Sequence, residues 1–381
     1  MVKQIQPGAT IGILGGGQLG KMLAQSAQKM GYRVAMYDAS PDACGFGVSH
    51  RHVVGSYSDH DKVLAFAQSV DVLTYEFENI DGALLEQIAD QAYLPQGTKL
   101  LLISQQRVQE KTWLNEVGAQ TVAFQPVSSL KEYRKAIQTM GYPAILKTTR
   151  FGYDGKGQIR IENEDDERKK KTAIESLLAH PCILEDVADF AYEASVMVSR
   201  DLYGHVEIFP VSRNQHRHGI LYSSLVGGDI PTNILTQMKQ MATHIAVSGE
   251  LIGVCGVEFF VMADGSVYVN EIAPRPHNSG HYSIEAVNVS QYDQHILALV
   301  GQPLIQPRLY EPALMINILG QHLPFLADIR AAFPTAMVHL YGKDVAKRQR
   351  KMGHFTLTHP RYDTLDTLLH HDVLQQWEAR F

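Results

Sequence analysis

"GVCGVEFFVMADGSVYVNEI", residues 253 to 272, is two β-rich runs on either side of "ADGS", the signal of a hairpin. A four-residue loop, Ala263 to Ser266, sets Met262 opposite Val267, and the same register sets Glu258 opposite Glu271. Opposed side chains on one face of a ladder lie roughly 4.5–5.5 Å apart at Cβ, and like charges there are destabilising unless a cation sits between them. Two carboxylates at that spacing suit magnesium, which prefers oxygen ligands and commonly bridges to substrate phosphates. The plainer alternative is a pair of rim glutamates splayed into water, against which stand the apolar neighbours Val257, Phe259 and Val269.

The next residues, "APRPHNSGH" at 273 to 281, place prolines on both sides of Arg275. They stiffen the backbone and fix the guanidinium near His277 and Asn278. A structural proline-rich turn would look the same, but this one follows Glu271 directly. A rigid cation beside a metal–phosphate centre suits a small anion in a transition state.

Upstream, "KTTRFGYDGKGQ" at 147 to 158 reads as a strand ending at Lys147, a loop with Gly152, Gly155 and Gly157, and a second strand, "GQIRIE". Glycines let backbone amides approach phosphate oxygens, and a lysine supplies point charge. The spacing is not that of a Walker A loop. In "ENEDDERKKK", 162 to 171, the pairs Asp165–Lys169, Asp166–Lys170 and Glu167–Lys171 fit a solvated helix face.

Up to about residue 100, strands alternate with amphipathic helices, as in a parallel, doubly wound sheet. "TIGILGGGQLGKML", 10 to 23, supplies a glycine loop at Gly15, Gly17 and Gly20, and Asp38 closes the next strand, "RVAMYD". Alone, that pattern describes a nicotinamide-dependent dehydrogenase. Such an enzyme would leave Glu258, Glu271 and the second glycine loop without a role. "TYEFENI", 74 to 80, ends another strand with Glu76 and Glu78, on the sheet edge where the glycine loop also opens. Carboxylates next to a phosphate-ready helix start suggest a substrate with an amine and a phosphate. Beyond residue 308 come short β-like runs, a terminal helix and "YGKDVAKRQRKMGH", whose Lys343, Arg348, Arg350 and Lys351 form either a solvated face or part of a phosphate site.

The 381 residues, 45% hydrophobic and 19% charged, fit a soluble protein of two or three domains. Net charge of −6 argues against general nucleic-acid binding. No apolar run nears the roughly 20 residues that span a bilayer, and no signal-peptide layout opens the chain. Cys44, Cys182 and Cys255 fit neither a disulfide framework nor a metal site, which points to the cytoplasm.

Taken together and in order, "GILGGGQLGKML", "TYEFENI", "FGYDGKGQ", "NEIAPRPHNSGH" and "RKMGH" resemble the ATP-grasp enzymes. Within them the chain is similar, over essentially its full length, to the 5-(carboxyamino)imidazole ribonucleotide synthase family. The resemblance implies an ATP-grasp fold of α/β and α+β character. A doubly wound domain would span 1–103, an ATP-grasp domain 104–305 with a lid at about 120–187, and a small C-terminal domain 306–381. It implies ATP- and bicarbonate-dependent carboxylation of 5-aminoimidazole ribonucleotide in a cytoplasmic homodimer, with magnesium on Glu258 and Glu271. The asparagine that many ATP-grasp proteins carry two residues after the second glutamate is Ala273 here.

Carried over by residue, Arg107, Lys147 and the loop Gly152, Tyr153, Asp154, Gly155, Lys156, Gly157 and Gln158 would hold ATP phosphates. Glu185, Asp186, Val187 and Ala188 would meet adenine, Glu193 the ribose, and His216 and Asn270 would lie beside the nucleotide. Gly17, Gln18 and Leu19 would bind the ribonucleotide's phosphate, with Lys343, Arg350 and Lys351. Glu76, Glu78, Asn278 and Ser279 would line the same substrate, with Tyr153 and Asp154 beside its base. Lys156, Arg275 and His277 would surround the bicarbonate-derived anion. The nearest enzymatic rival is a formate-using transformylase acting on glycinamide ribonucleotide, which shares "PRPH". A nucleotide-sensing regulator is the non-enzymatic alternative.

Overall fold

The computed structural model describes residues 3–150, 157–228 and 230–381. Three sheets organise them. In the first, β1 (Thr10–Leu14), β2 (Arg33–Asp38), β3 (Arg51–Val54) and β4 (Val72–Tyr75) run parallel in the order β3-β2-β1-β4. Strand alternation sends Ile11 and Ile13 to one face, where they meet Leu19, Leu23 and Ala27 of helix Gln18–Lys29. Leu14 turns to the other face, against Phe66 and Leu84 of helices His60–Gln68 and Gly82–Gln91. Helices on both faces make this sheet doubly wound, as its periodicity implied.

The second sheet is small and antiparallel. Its strands β5 (Phe124–Val127), β6 (Ala144–Thr148), β7 (Gln158–Ile161) and β8 (Cys182–Asp186) follow the order β5-β8-β6-β7. Helices Leu130–Met140 and Lys171–Leu177 cover one face with Tyr133, Ile137 and Ile174.

The third sheet holds β9 (Phe190–Arg200), β10 (Val206–Ile208), β11 (Ser212–Arg217), β12 (Ile220–Val226), β13 (Gly253–Met262), β14 (Val267–Ala273), β15 (Ala313–Leu319), β16 (Met337–Leu340) and β17 (Lys351–Thr358). Their order is β14-β13-β9-β11-β12-β15-β17-β16, with β10 beside β9. The last segment of the chain adds its strands to this same sheet, because β15 pairs with β12. Helix Thr232–Ser248 covers Val196, Val257 and Phe259 on one face. The opposite face carries the polar residues that matter below.

One sequence expectation is corrected locally. The loop of the 253–273 hairpin has three residues, not four. Met262 accepts from the Gly265 amide and donates to the Ser266 carbonyl, and Gly265 takes the left-handed φ of +83° that this turn requires. The 162–171 run forms the solvated helix face expected of it, with Asp166–Lys170 closed at the four-residue spacing. Asp165 pairs with Arg168, and the Tyr142 hydroxyl donates to Glu167. The three-residue spacing competes with the four-residue one on a helix this short.

Candidate active site

The one-residue shortfall of the hairpin loop would by itself have set Glu258 opposite Asn270. Pairing runs Val261–Val267, Phe260–Tyr268 and Phe259–Val269, then jumps to Glu258–Glu271. Asn270 is the extra residue of a β-bulge, which shifts the register by one and restores the glutamate pair. The expected pair is present, and a bulge accounts for it. Across the next strands Glu258 faces Ser195, and Ser195 faces Ser212. A neighbouring row on the same face runs from Glu193 to Asn214 to Ser224.

Glu258 is mostly buried, and its carboxyl is pushed up to about 7 by burial and by the charge of Glu271, against the opposing pull of His216. His216 hydrogen-bonds Glu193 at 2.8 Å. Burial pulls that imidazole down, but the bond to Glu193 and the nearby carboxylates lift it above its ordinary range.

Helix Arg107–Glu116 lies beyond β14 and brings three charges to its edge. Arg107 reaches Glu271 at 3.5 Å, Lys111 donates to the Asn270 carbonyl, and Glu110 accepts from the Ile272 amide at 2.8 Å. Lys111 also approaches Glu185 at 3.5 Å, and Lys147 on β6 donates to the same carboxylate at 2.9 Å. Burial would raise Glu185, yet Lys111 and Lys147 hold it below the usual carboxylate range. Glu185 therefore has its side chain committed to lysines. Asp186 spends its amide on the Ala123 carbonyl. Gln158, Val187 and Ala188 follow on from the same small sheet, Gln158 opposite Lys147.

On the first domain's edge, Glu76 accepts from the Gly17 amide at 2.8 Å and Asp38 from the Gly16 amide at 2.6 Å. Burial pushes the Glu76 carboxyl up. Asp38 also accepts from Ser40, so it braces the loop where a dehydrogenase would offer it to a ribose. Gln18 and Leu19 open the helix, with no side chain capping their end. The segment around Lys343 lies against this loop, since Lys21 donates to the Tyr341 carbonyl. Lys343 donates to the Lys351 carbonyl, and burial with the nearby charges of Arg350 and Lys351 lowers it to about 8. Arg350 caps the Val345 carbonyl. The charge of Lys351 acts on Lys343 and also on Glu258, His216 and His277 near the glutamate pair.

The turn at 274–281 joins the two halves. Arg275 donates to Glu78 at 2.8 Å, and Gln96 ties the Pro274 carbonyl to Thr74 and Tyr75 at the end of β4. His277 and Ser279 hydrogen-bond each other, while the buried Asn278 amide has no partner among the described residues. Gly152, Tyr153, Asp154, Gly155 and Lys156 lie outside the described residues.

Glu110, Lys111, Ser195 and Asn214 escaped the sequence reading. The i, i+3, i+4 spacing of Arg107, Glu110 and Lys111 marks one helix face, and Ser212-x-Asn214-x-His216 alternates as a strand face does. A cleft of about 400 Å³ between the helices of the small sheet touches none of these residues, so charge and register locate the site where cavity size does not. Among the described residues no group of three His, Cys, Asp or Glu side chains is arranged to hold a metal, and no helix is long and apolar enough to cross a membrane.

Residues 112–292 match the ATP-grasp domain, residues 8–105 the ribonucleotide synthetase preATP-grasp domain, and residues 313–367 the phosphoribosylaminoimidazole carboxylase C-terminal domain. N5-carboxyaminoimidazole ribonucleotide synthase of Bacillus subtilis is 42% identical over 359 residues, covering 93% of each chain. The enzyme of that name from Staphylococcus aureus is 43% identical over 92% of each. Among solved structures, the Staphylococcus aureus synthetase complexed with ADP superposes with a TM-score of 0.92 at 40% identity, over 100% of this chain and 98% of that one. The Aspergillus clavatus synthase with ADP and 5-aminoimidazole ribonucleotide gives 0.88 at 30%, over 98% and 100%. The fold is thus that of an ATP-grasp enzyme. The chain belongs to the N5-carboxyaminoimidazole ribonucleotide synthase family.

Proposed function

We propose that the chain uses ATP and bicarbonate to carboxylate the amine of 5-aminoimidazole ribonucleotide, releasing ADP and phosphate, in purine biosynthesis. One observation carries this reading: the Arg275–Glu78 ion pair joins the edge of the glycine-loop domain to the turn that follows the Glu258–Glu271 pair. A phosphate-activating centre and an amine-binding edge thereby share one boundary.

In this reading Arg107, Lys147 and Gln158 hold ATP phosphates, together with residues 152–157. The backbone of 185–188 meets adenine, and Glu193, His216 and Asn270 flank the nucleotide. Glu258 and Glu271 fit magnesium, being hard oxygen donors whose mutual repulsion a cation relieves; when bound, it supplies charge neutralisation on the phosphates. Gly17, Gln18 and Leu19, with Lys343 and Arg350, hold the ribonucleotide phosphate. Glu76, Glu78, Ser279 and the orphaned Asn278 amide line the same substrate, with Tyr153 and Asp154 beside its base. Lys351 supports that phosphate with Lys343, its charge also reaching Glu258.

A bicarbonate oxygen attacks the γ-phosphorus of ATP, the bond to ADP breaks, and Lys147 offsets the developing charge. Carboxyphosphate then splits into carbon dioxide and phosphate. The substrate's amine forms the new C–N bond and gives up a proton. Arg275, Lys156 and His277 hold the anion while water is excluded, since carboxyphosphate is labile. The enzyme works as a cytoplasmic homodimer in this reading. The absence of any disulfide among Cys44, Cys182 and Cys255 suits a reducing compartment.

The test is magnesium-dependent ADP release in bicarbonate buffer, with and without 5-aminoimidazole ribonucleotide. Release that needs the ribonucleotide is expected. Release only with formate and glycinamide ribonucleotide would transfer the acceptor assignment to the transformylase reaction, and no release with either pair would remove the catalytic reading.

A further inference from the structure

His277 sits over the polar rows of the large sheet, and its two ring nitrogens have different surroundings. Nδ1 accepts from the backbone amide of Ser279, so that His277 caps the short turn Asn278–Gly280. The Ser279 hydroxyl lies 2.9 Å from the same nitrogen. A backbone amide only donates, so Nδ1 is bare, and the ring proton of the neutral imidazole is on Nε2. The hydroxyl supports that state because its own proton is directed by a chain of buried groups. Ser195 on β9 donates to the Ser279 oxygen at 2.7 Å, leaving it to accept from the Ser212 hydroxyl, also at 2.7 Å, and from the Asn214 amide on β11 at 3.0 Å. Ser224 on β12 donates to Asn214 Oδ1 at 2.9 Å and orients that amide. Ser195, Asn214, Ser224 and Ser279 are all buried. They are also in register, Asn214 opposite both Glu193 and Ser224, and Ser195 opposite Glu258.

We propose that Ser195 and Asn214 are positioning residues that hold His277 in the Nε2–H form, so that His277 presents a hydrogen-bond donor, never a base, to the anion beside Glu258. Nε2 points toward Glu258, 3.7 Å away. The proton sits on the nitrogen that faces the site, and the bare nitrogen is spent on the turn. A ring so held donates to a carbonate or carboxyphosphate oxygen and takes no proton from the amine. Proton removal from the acceptor then falls to another group. This inference rests on the proposed reaction for its substrate, but the tautomer itself does not.

The experiment is long-range proton–nitrogen NMR on the full chain labelled with 15N-histidine, with His277 assigned by its loss in His277→Gln. The expected spectrum shows protonated Nε2 and bare Nδ1. A protonated Nδ1 would overturn the inference, whatever the activity. Ser195→Ala and Asn214→Leu are expected to raise the bicarbonate KM about tenfold, the effect of one misdirected hydrogen bond. The KM for ATP should stay within about twofold, and Ser195→Thr, which keeps the hydroxyl, should restore the bicarbonate KM. Equal changes in both KM values, or none, would reduce Ser195 and Asn214 to structural roles and overturn their part. If wild-type protein shows no bicarbonate-dependent ADP release, the proposed function falls while the spectrum still decides the tautomer. If Ser195→Ala does not fold, Asn214→Leu and the wild-type spectrum carry the test.

Discussion

Glu258 lies opposite Glu271 because Asn270 is inserted into β14 as a bulge. In an unbroken ladder, without the bulge, Glu258 would face the neutral amide of Asn270, and the two carboxylates would lie on different rungs. The bulge also turns the Asn270 carbonyl to Lys111. The pair therefore combines a register shift with an outer-edge clamp, as bulges beside active sites commonly do.

Glu258→Gln is expected to lower magnesium-dependent ADP release by about a hundredfold or more, because it removes a metal-facing carboxylate. The same change leaves the melting temperature equal or higher, since it relieves like-charge repulsion. In metal-free wild-type protein the Glu258 carboxyl titrates at about 7 against an ordinary 4.5. A raised carboxyl stabilises the fold in its neutral form, and that contribution is lost as pH climbs from about 4.5 through about 7. Thermal melts across that range with and without magnesium check it, with magnesium restoring stability at the upper end.

Glu110 is pushed up to about 8 by burial and then by the charge of Glu271. Glu110→Gln keeps an acceptor for the Ile272 amide and removes the charge. Its melting temperature relative to wild type should rise with pH between about 4.5 and 8, gaining roughly 2–4 °C per kcal/mol recovered. A difference that stays flat with pH would mean that burial and Glu271 do not raise the Glu110 carboxyl above its ordinary range.

Lys147→Ala should abolish ADP formation. Among the described residues it also leaves the buried Glu185 with Lys111 at 3.5 Å as its ion-pair partner, which costs about 1–3 kcal/mol of stability. Urea unfolding and an ADP assay measure the two losses separately. Near-normal turnover in this variant would remove Lys147 from the phosphate site.

Glu78→Gln strips the carboxylate from the largely buried Arg275, whose side chain is 17% exposed. The KM for the ribonucleotide is expected to rise about tenfold or more, with the KM for ATP nearly unchanged. Steady-state kinetics with each substrate varied in turn would show the split, and an equal effect on ATP would place the ion pair in the nucleotide site.

Local patterns in the sequence were enough for the parallel first sheet, the hairpin, the proline-flanked arginine and the first glycine loop. Each rests on periodicity or turn chemistry within some 20 residues. The partition of charge was not legible, because it depends on which side chains meet across domains. Asp38 reads as a ribose ligand until the fold turns it onto the Gly16 amide. Lys351 groups with Lys343 in sequence, and in the fold its charge reaches both Lys343 and the distant Glu258, a link that spacing along the chain does not show.

The sequence by itself determined the elements, the family and most of the residues proposed for the site, since these depend on spacing along the chain. Only the tertiary structure decided the bulge at Asn270, the burial of Glu110 and Lys111, and the hydrogen-bond chain from Asn214 to His277. Those features belong to strands and helices distant in sequence, and their energetics come from burial and from directional bonds that exist only once the sheet is assembled.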